Sequence, residues 1–440
     1  MKRILYFLIP GFYVLHVISL MCSMAGTEFF GWGGFVLIIF AAIYERIVNK
    51  KSLFVAHPFN KYILIFGLAI TISVMLSPLL SAAERPWHFY VGRLRYLLLF
   101  FYHVTALTYF VNFRKLIKWL PAFVLPVLLL YIFESMAGVR LVGGGEKVIN
   151  WSWNFSRGIN GYFVHYIEFA TIFELFTFLM LPFLFFKEYG LKYKLFLGIT
   201  VAVALFSMTV SGTRAFFMVL PLVLIIQTLF SHTKKGFIVV LLLVIATPFV
   251  AYKVSPFLRH RKDFTVANMN KLGDPYRYNL WRAHLLMFKD HPITGAGFYM
   301  PIEKGFIEPY YKELKTKKKE TYRGTTLAHN SYIDMLSGAG LLGFLSFLLM
   351  SVMLFKYLLI GRARSIEFKN GFAETLSVGL IGALSSLYIN MLVDSGFLYI
   401  KVSYAFIFIA GLCIYLSNFF GLYNRQYLSK AEQSSRKKKQ

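Results

Sequence analysis

The sequence predicts an all-α integral membrane protein, with about twelve transmembrane helices forming a single polytopic domain over residues 1–440. Three observations carry this. The 440 residues are 58% hydrophobic and only 15% charged, with mean hydropathy +0.60, and a soluble domain carries far more charge. Apolar windows of about 20 residues, enough to cross the hydrocarbon, recur along the chain. The connections between them alternate in Lys and Arg content as membrane topology demands.

The windows begin near Ile4, Phe29, Tyr62, Leu94, Leu116, Tyr162, Tyr193, Ala215, Gly236, Ser331, Glu374 and Phe397. The first is longer than a signal-peptide core and has no clear small-residue cleavage pattern, so it reads as an uncleaved helix. The spans around Tyr131 and Leu222 contain prolines, which bundles tolerate because neighbours re-satisfy the freed backbone groups. Lys2 and Arg3 precede the first span. Arg46, Lys50, Lys51 and Lys61 follow the second, and Arg114, Lys115 and Lys118 the fourth. Lys187, Lys192 and Lys194 follow the sixth, Lys234 and Lys235 the eighth, and Arg362, Arg364 and Lys369 the tenth. Arg425, Lys430 and Arg436 through Lys439 follow the last. Every even-numbered connection is basic, which places both termini in the cytoplasm.

The net charge of +27 is therefore mostly topological, with anionic membrane lipid as its partner. Its scatter over many loops excludes a nucleic-acid stripe. Cys22 and Cys413 fall within apolar spans, so neither a disulfide framework nor a metal cluster is suggested.

Two outer segments are longer than the rest. Val139 to Asn160 carries a Gly143-Gly144-Gly145 turn and interfacial Trp151 and Trp153. The other covers 255–328. Within it, Asp274-Pro275 gives a helix start and His291-Pro292 a stop. Leu280, Trp281, Leu285, Leu286 and Phe288 supply an apolar side, and Arg277, Arg282 and Lys289 a basic one. An amphipathic helix on the outer membrane surface is expected.

Arginines cluster on this outer face against the positive-inside bias. Arg214 follows Ser211-Gly212-Thr213, where Thr213 can cap the next helix. A cation in that first turn opposes the helix dipole, and its ordinary alternative is snorkelling to a headgroup. Arg277 and Arg282 have interfacial anchoring as their alternative. Arg85, Arg93, Arg95, Arg140, Arg157 and Arg323 also lie toward the outer face. So many planar forks suit a shared phosphate-bearing ligand. No carboxylate pair with metal spacing lies in the outer loops, so neither a metal nor a cofactor is called for.

His329 stands directly before the tenth span, where Ser331-x-x-Asp334 resembles a capping box. The positive end of a helix dipole favours the neutral imidazole, a competent general base. Asp394, in Val393-Asp394-Ser395-Gly396, either orients His329, pairs with an arginine, or serves the turn. Glu168, Glu174 and His103 lie inside spans, and buried ionisable groups support a proton-coupled transporter or lipid flippase as the alternative class.

At these residues the chain resembles the O-antigen ligase family. The matching pieces are Ser211-Gly212-Thr213-Arg214; Trp281-Arg282 with Phe288, Asp290, Pro292, Gly295 and Gly297; and His329-Asn330-Ser331-Tyr332 with Gly340 and Gly343. The resemblance implies a GT-C-like, metal-independent, inverting glycosyltransferase at the periplasmic face of the bacterial inner membrane. The donor it implies is a glycan on undecaprenyl diphosphate, and the acceptor a sugar hydroxyl of lipid A–core. His329 then matches the general base, Arg214 and Arg282 the diphosphate-binding residues, and Asp394 the family's late acidic residue; the reading of the residues adds Arg277 to the diphosphate set and Arg157 and Asn330 as supporting candidates. Gly338 departs from the pattern, since many members carry Glu there; so does Tyr166, where a proline often follows the position of His165. These departures keep open the related O-antigen polymerase reaction, which extends an undecaprenyl-linked glycan.

Overall fold

The structure is a computed structural model. It describes residues 2–78, 80, 86–137, 166–211, 214–231, 236, 238, 240–242, 275–302, 306–314 and 327–437. Helices α1 (Lys2–Cys22) and α2 (Met24–Val48) form a hairpin turned at Ser23, whose hydroxyl caps α2 by accepting from Gly26 N. Next come α3 (Asn60–Met75), α4 (Trp87–Gly92), a 3-10 turn (Arg93–Leu97) and α5 (Leu98–Tyr109). Helices α6 (Phe113–Ala137), α7 (Tyr166–Met180), α8 (Leu191–Val210) and α9 (Arg214–Phe230) complete the first part. The second part holds α10 (Pro275–Asp290), α11 (Glu308–Glu313), α12 (Ser331–Glu367), α13 (Gly371–Val393) and α14 (Ile400–Lys437).

Among the described residues, eight helices are long and apolar enough to cross a membrane, and α3 and part of α9 are shorter apolar helices. Eleven of the twelve expected spans have a helix at their place. The fourth is broken by the 3-10 turn between α4 and α5. The ninth, from Gly236, lies mostly outside the described residues, so the count of twelve is not established. Helices α7, α13 and α14 are the most enclosed, each with over three quarters of its apolar window buried, whereas α1 and α2 bury less than half. The bundle therefore has a three-helix centre and a lipid-facing periphery.

The basic connections have a local structural use. Arg362 donates to Phe230 O, the last carbonyl of α9, and to Ser377 Oγ, while Arg364 donates to Ser417 O. A cation on an unsatisfied carbonyl at a helix end is favourable twice over, by hydrogen bond and by dipole.

Helix α12 is interrupted. Gly340 sits at φ 62°, ψ −166°, and the segment after α10 threads through the break. Leu341 N donates to Pro292 O (2.8 Å), Leu342 N to Ile293 O (3.0 Å), and Ala296 N to Ser337 O (2.8 Å). Ser73 Oγ of α3 donates to Thr294 O at 2.6 Å. The freed helix groups are thus re-satisfied by protein, which is what allows a broken helix inside an apolar bundle. A Cβ on Gly340 would overlap Ile293 O and Gly295 N, and one on Gly295 would overlap the Gly338–Gly340 backbone. Two glycines let the backbones cross.

Helix α10 starts at Pro275 and stops before His291-Pro292 as the sequence predicts. Its buried stripe is Leu280, Ala283, His284 and Met287, and it docks on α11 and the N-terminal part of α12. The expected apolar side splits. Leu280 belongs to the buried stripe, while Leu285 is exposed and Trp281, Leu286 and Phe288 are half-buried. The helix is held by protein on one stripe, with Trp281, Leu285 and Phe288 at i, i+4 and i+7 left on the neighbouring one.

Candidate functional site

The C-terminal end of α13 organises the candidate site. Three successive carbonyls, at Leu392, Val393 and Asp394, each receive donors from a different sequence-predicted residue or its neighbour. Asn330 Nδ2 donates to Leu392 O (2.9 Å), Arg277 Nη1 to Val393 O (3.1 Å), and Ser331 to Asp394 O through both N (3.1 Å) and Oγ (2.9 Å). Arg277 thereby covers the negative end of the α13 dipole, which would otherwise repel an anion at this place.

His329 is held between these groups. Its Nδ1 lies 3.3 Å from Asp394 Oδ1, and the same oxygen accepts from Ser395 N at 2.7 Å. The His329 side chain is 22% exposed while that of Asp394 is 5% exposed. With the carboxylate accepting from Nδ1–H, Nε2 carries the free lone pair. The arrangement can accept a proton from a molecule that reaches the imidazole.

The backbone of His329 takes φ 52°, a region non-glycine residues rarely occupy. The preceding residue is pinned at both ends. Trp281 Nε1 donates to Ala328 O (2.7 Å), and Asp334 Oδ1 accepts from Ala328 N (2.8 Å). The helix start differs from the expected capping box. Asn330 is the N-cap of α12, its Oδ1 accepting from Tyr332 N (3.0 Å) and Ile333 N (3.1 Å). Ser331 turns toward α13 instead and also accepts from Phe397 N at 3.2 Å. Asp334 keeps a role, but on Ala328.

The arginines expected on the outer face fall into distinct situations. Arg214 begins α9, which packs on α13. Gln227 of α9 donates to Val378 O of α13 at 3.2 Å. Thirteen residues back from Gln227 is Arg214, and thirteen forward from Val378 is Met391. Those thirteen residues of α9 rise about 20 Å toward its N-terminus, with Pro221 between them. Arg282 follows the Trp281 that holds Ala328; its guanidinium is exposed, 5.8 Å from the Tyr278 ring centroid. Arg93 lies between Phe89 (4.7 Å) and Tyr299 (5.2 Å). Arg95 is paired with Glu28. Arg157, Arg323, Arg85 and Arg140 lie outside the described residues.

Sequence reasoning missed Trp281 as a donor to the His329 turn, and missed Tyr299. Tyr299 also has positive φ, 71°, and burial holds its hydroxyl above the ordinary range despite Arg93 beside it. Nothing in residue spacing signals either contact. An apolar groove of about 760 Å³ opens between α12 and α13. It begins at Tyr332 and Tyr388, joined by a 3.1 Å hydrogen bond from Tyr332 Oη to Tyr388 O. It then passes Phe347 and Ser351 toward Lys356 and Ala363 at the basic end.

Residues 197–348 match the family described as O-antigen ligase. The matched stretch holds Arg214, Arg277, Arg282, His329 and Asn330, and stops short of Asp394. An uncharacterized protein of Haemophilus influenzae is 28% identical over 177 residues, covering 37% of this chain and 42% of that protein. The chain thus aligns with under half of that relative's length.

Proposed function

We propose that this chain is an O-antigen ligase with a GT-C-like helical architecture, moving glycan from undecaprenyl diphosphate to a lipid A–core sugar hydroxyl. The family match across residues 197–348 supports ligase- or polymerase-type chemistry on glycan and lipid in a membrane. The observation that carries the finer reading is the His329–Asp394 contact, with Arg277 bonded to the neighbouring Val393 carbonyl.

In the proposed reaction, His329 Nε2 takes the proton from the acceptor hydroxyl as that oxygen attacks the anomeric carbon. The bond from that carbon to the diphosphate oxygen breaks, and configuration inverts. Arg214 and Arg282 bind the departing diphosphate, with Arg277 covering the α13 carbonyls beside it. A guanidinium at about 4 Å from a phosphate charge is worth about 4 kcal/mol at an effective dielectric of about 20. Two such residues supply the charge stabilisation that a metal provides elsewhere. The α12–α13 groove gives a long lipid tail an apolar path ending at Tyr332, one turn of chain from His329. The charge pattern supports a periplasmic position for this end at the inner membrane, with both termini cytoplasmic.

One observation favours a second reading. Gly338, where many family members carry Glu, faces the Gly297–Phe298 backbone with no carboxyl to offer. Loss of that carboxyl fits an O-antigen polymerase that extends the lipid-linked glycan itself. A reconstituted assay with the lipid-linked donor and lipid A–core, in excess EDTA, separates the readings. Glycan on lipid A–core is the expected product. Longer undecaprenyl-linked chains without that acceptor identify the polymerase. Movement of lipid or solute with no new glycosidic bond identifies the transporter class.

A further inference from the structure

Glu174 lies in the middle of α7 with no exposed surface. A carboxyl in such a place is costly unless it is held by donors. Two donors hold it, both from one face of α13: Ser386 Oγ at 3.0 Å, and Asn390 Nδ2 in a short hydrogen bond to the same oxygen. No ion pair to Glu174 is present among the described residues. Asn390 is also the residue whose carbonyl accepts the Asp394 N–H, at 2.9 Å, and so closes the last turn of α13. A continuous path therefore runs from Glu174 through the Asn390 side chain and backbone to Asp394, and from Asp394 to His329.

We propose that Glu174 is a positioning residue: its carboxyl sets the rotation and height of α13, and so fixes Asp394 against His329. The proposal rests on His329 acting as the base in the transfer reaction. Its physical content is directional. An apolar contact between α7 and α13 would hold the helices together equally well, but it would leave α13 free to turn about its axis. Side chains stand about 5–6 Å from a helix axis, so a turn of about 10° moves Asp394 by about 1 Å. A misplacement of that size at a reacting centre is enough to lower turnover about 100-fold. The three successive carbonyls at 392–394 move with the same turn, so Asn330, Arg277 and Ser331 share its effect.

The test uses the full chain in lipid nanodiscs, with the lipid-linked donor and a lipid A–core acceptor. Glu174→Leu keeps volume and removes the acceptor oxygens; Glu174→Gln keeps one oxygen facing Asn390. The expected result is a fall in kcat of about 100-fold for Glu174→Leu, with KM for the donor within threefold of wild type. Glu174→Gln should recover most of the rate. Adding Glu174→Leu to Asp394→Asn should slow the enzyme little further, because both act through the His329 contact. A wild-type kcat for Glu174→Leu overturns the proposal, as does a Glu174→Gln variant as slow as Glu174→Leu, or fully additive effects in the double variant. His329→Ala in the same preparation separates the two layers. If it turns over normally, the general-base reading fails, whatever Glu174 does.

Discussion

His329 holds a left-handed backbone conformation that costs on the order of 1–3 kcal/mol and persists only where neighbours over-determine it. The neighbours are on view: Trp281 and Asp334 on Ala328, Asn330 on Leu392, and Ser331 on Asp394. Trp281→Phe keeps the ring and removes one donor, leaving the Ala328 carbonyl short of a partner. It should destabilise the protein by about 1 kcal/mol and lower kcat about tenfold, with donor affinity unchanged; steady-state rates and a donor-binding isotherm check this. Asp394→Asn should lower kcat about 100-fold or more, because the amide can present its N–H to Nδ1 and favour the wrong tautomer. Equal loss of donor affinity in that variant would mean that Asp394 serves binding. At this scale the short motifs around His329, Asn330 and Asp394 pointed to residues that the structure brings together. It misjudged the cap, because Ser331 and Asn330 are both competent N-caps and only the approach of α13 decides between them.

The crossing of the His291–Gly297 segment through α12 explains why glycines stand at 295 and 340. They were visible as parts of a recurring pattern, but the reason lies in a contact between chain positions far apart, which periodicity does not encode. Gly340→Ala meets both positive φ and the Ile293 carbonyl. It should cost about 1–3 kcal/mol, read as a lower unfolding temperature in detergent. A Cβ on Gly343 would overlap the Ala339 Cβ beside the break, so Gly343→Ala should lower the unfolding temperature as well. The amphipathic character of α10 was legible, yet its buried stripe was not, because α11 and α12 chose the face. A second element-scale prediction concerns the α2–α3 connection. His57 accepts from Phe59 N and lies 3.1 Å from Ser417 Oγ, and burial lowers its pKa from 6.5 to about 4. The unfolded chain therefore binds more protons between these values, so stability falls as pH drops from about 6.5 toward 4. Unfolding temperature should decline over that window, and His57→Gln should flatten the decline.

Across the whole molecule, composition and charge bias read the class, the approximate order of helices and the alternation of basic ends. They could not read which helices form the centre, since α7, α13 and α14 are no more apolar than their neighbours. Burial of those three brings residues 174, 390 and 394 into one path, and α10 and the head of α12 meet the end of α13 there. The groove between α12 and α13 leads to that end. Leu348→Trp, on its wall, should slow transfer from a long-chain lipid donor more than from a short-chain analogue, compared as kcat/KM for the two. The central claim is that the imidazole at the head of α12 takes the acceptor proton next to a bound diphosphate. Single-turnover formation of the glycosidic bond, with donor already bound, tests it most directly. His329→Ala should bind the lipid-linked donor as wild type does and form product about 10²- to 10⁴-fold more slowly. A wild-type single-turnover rate in that variant would contradict the account.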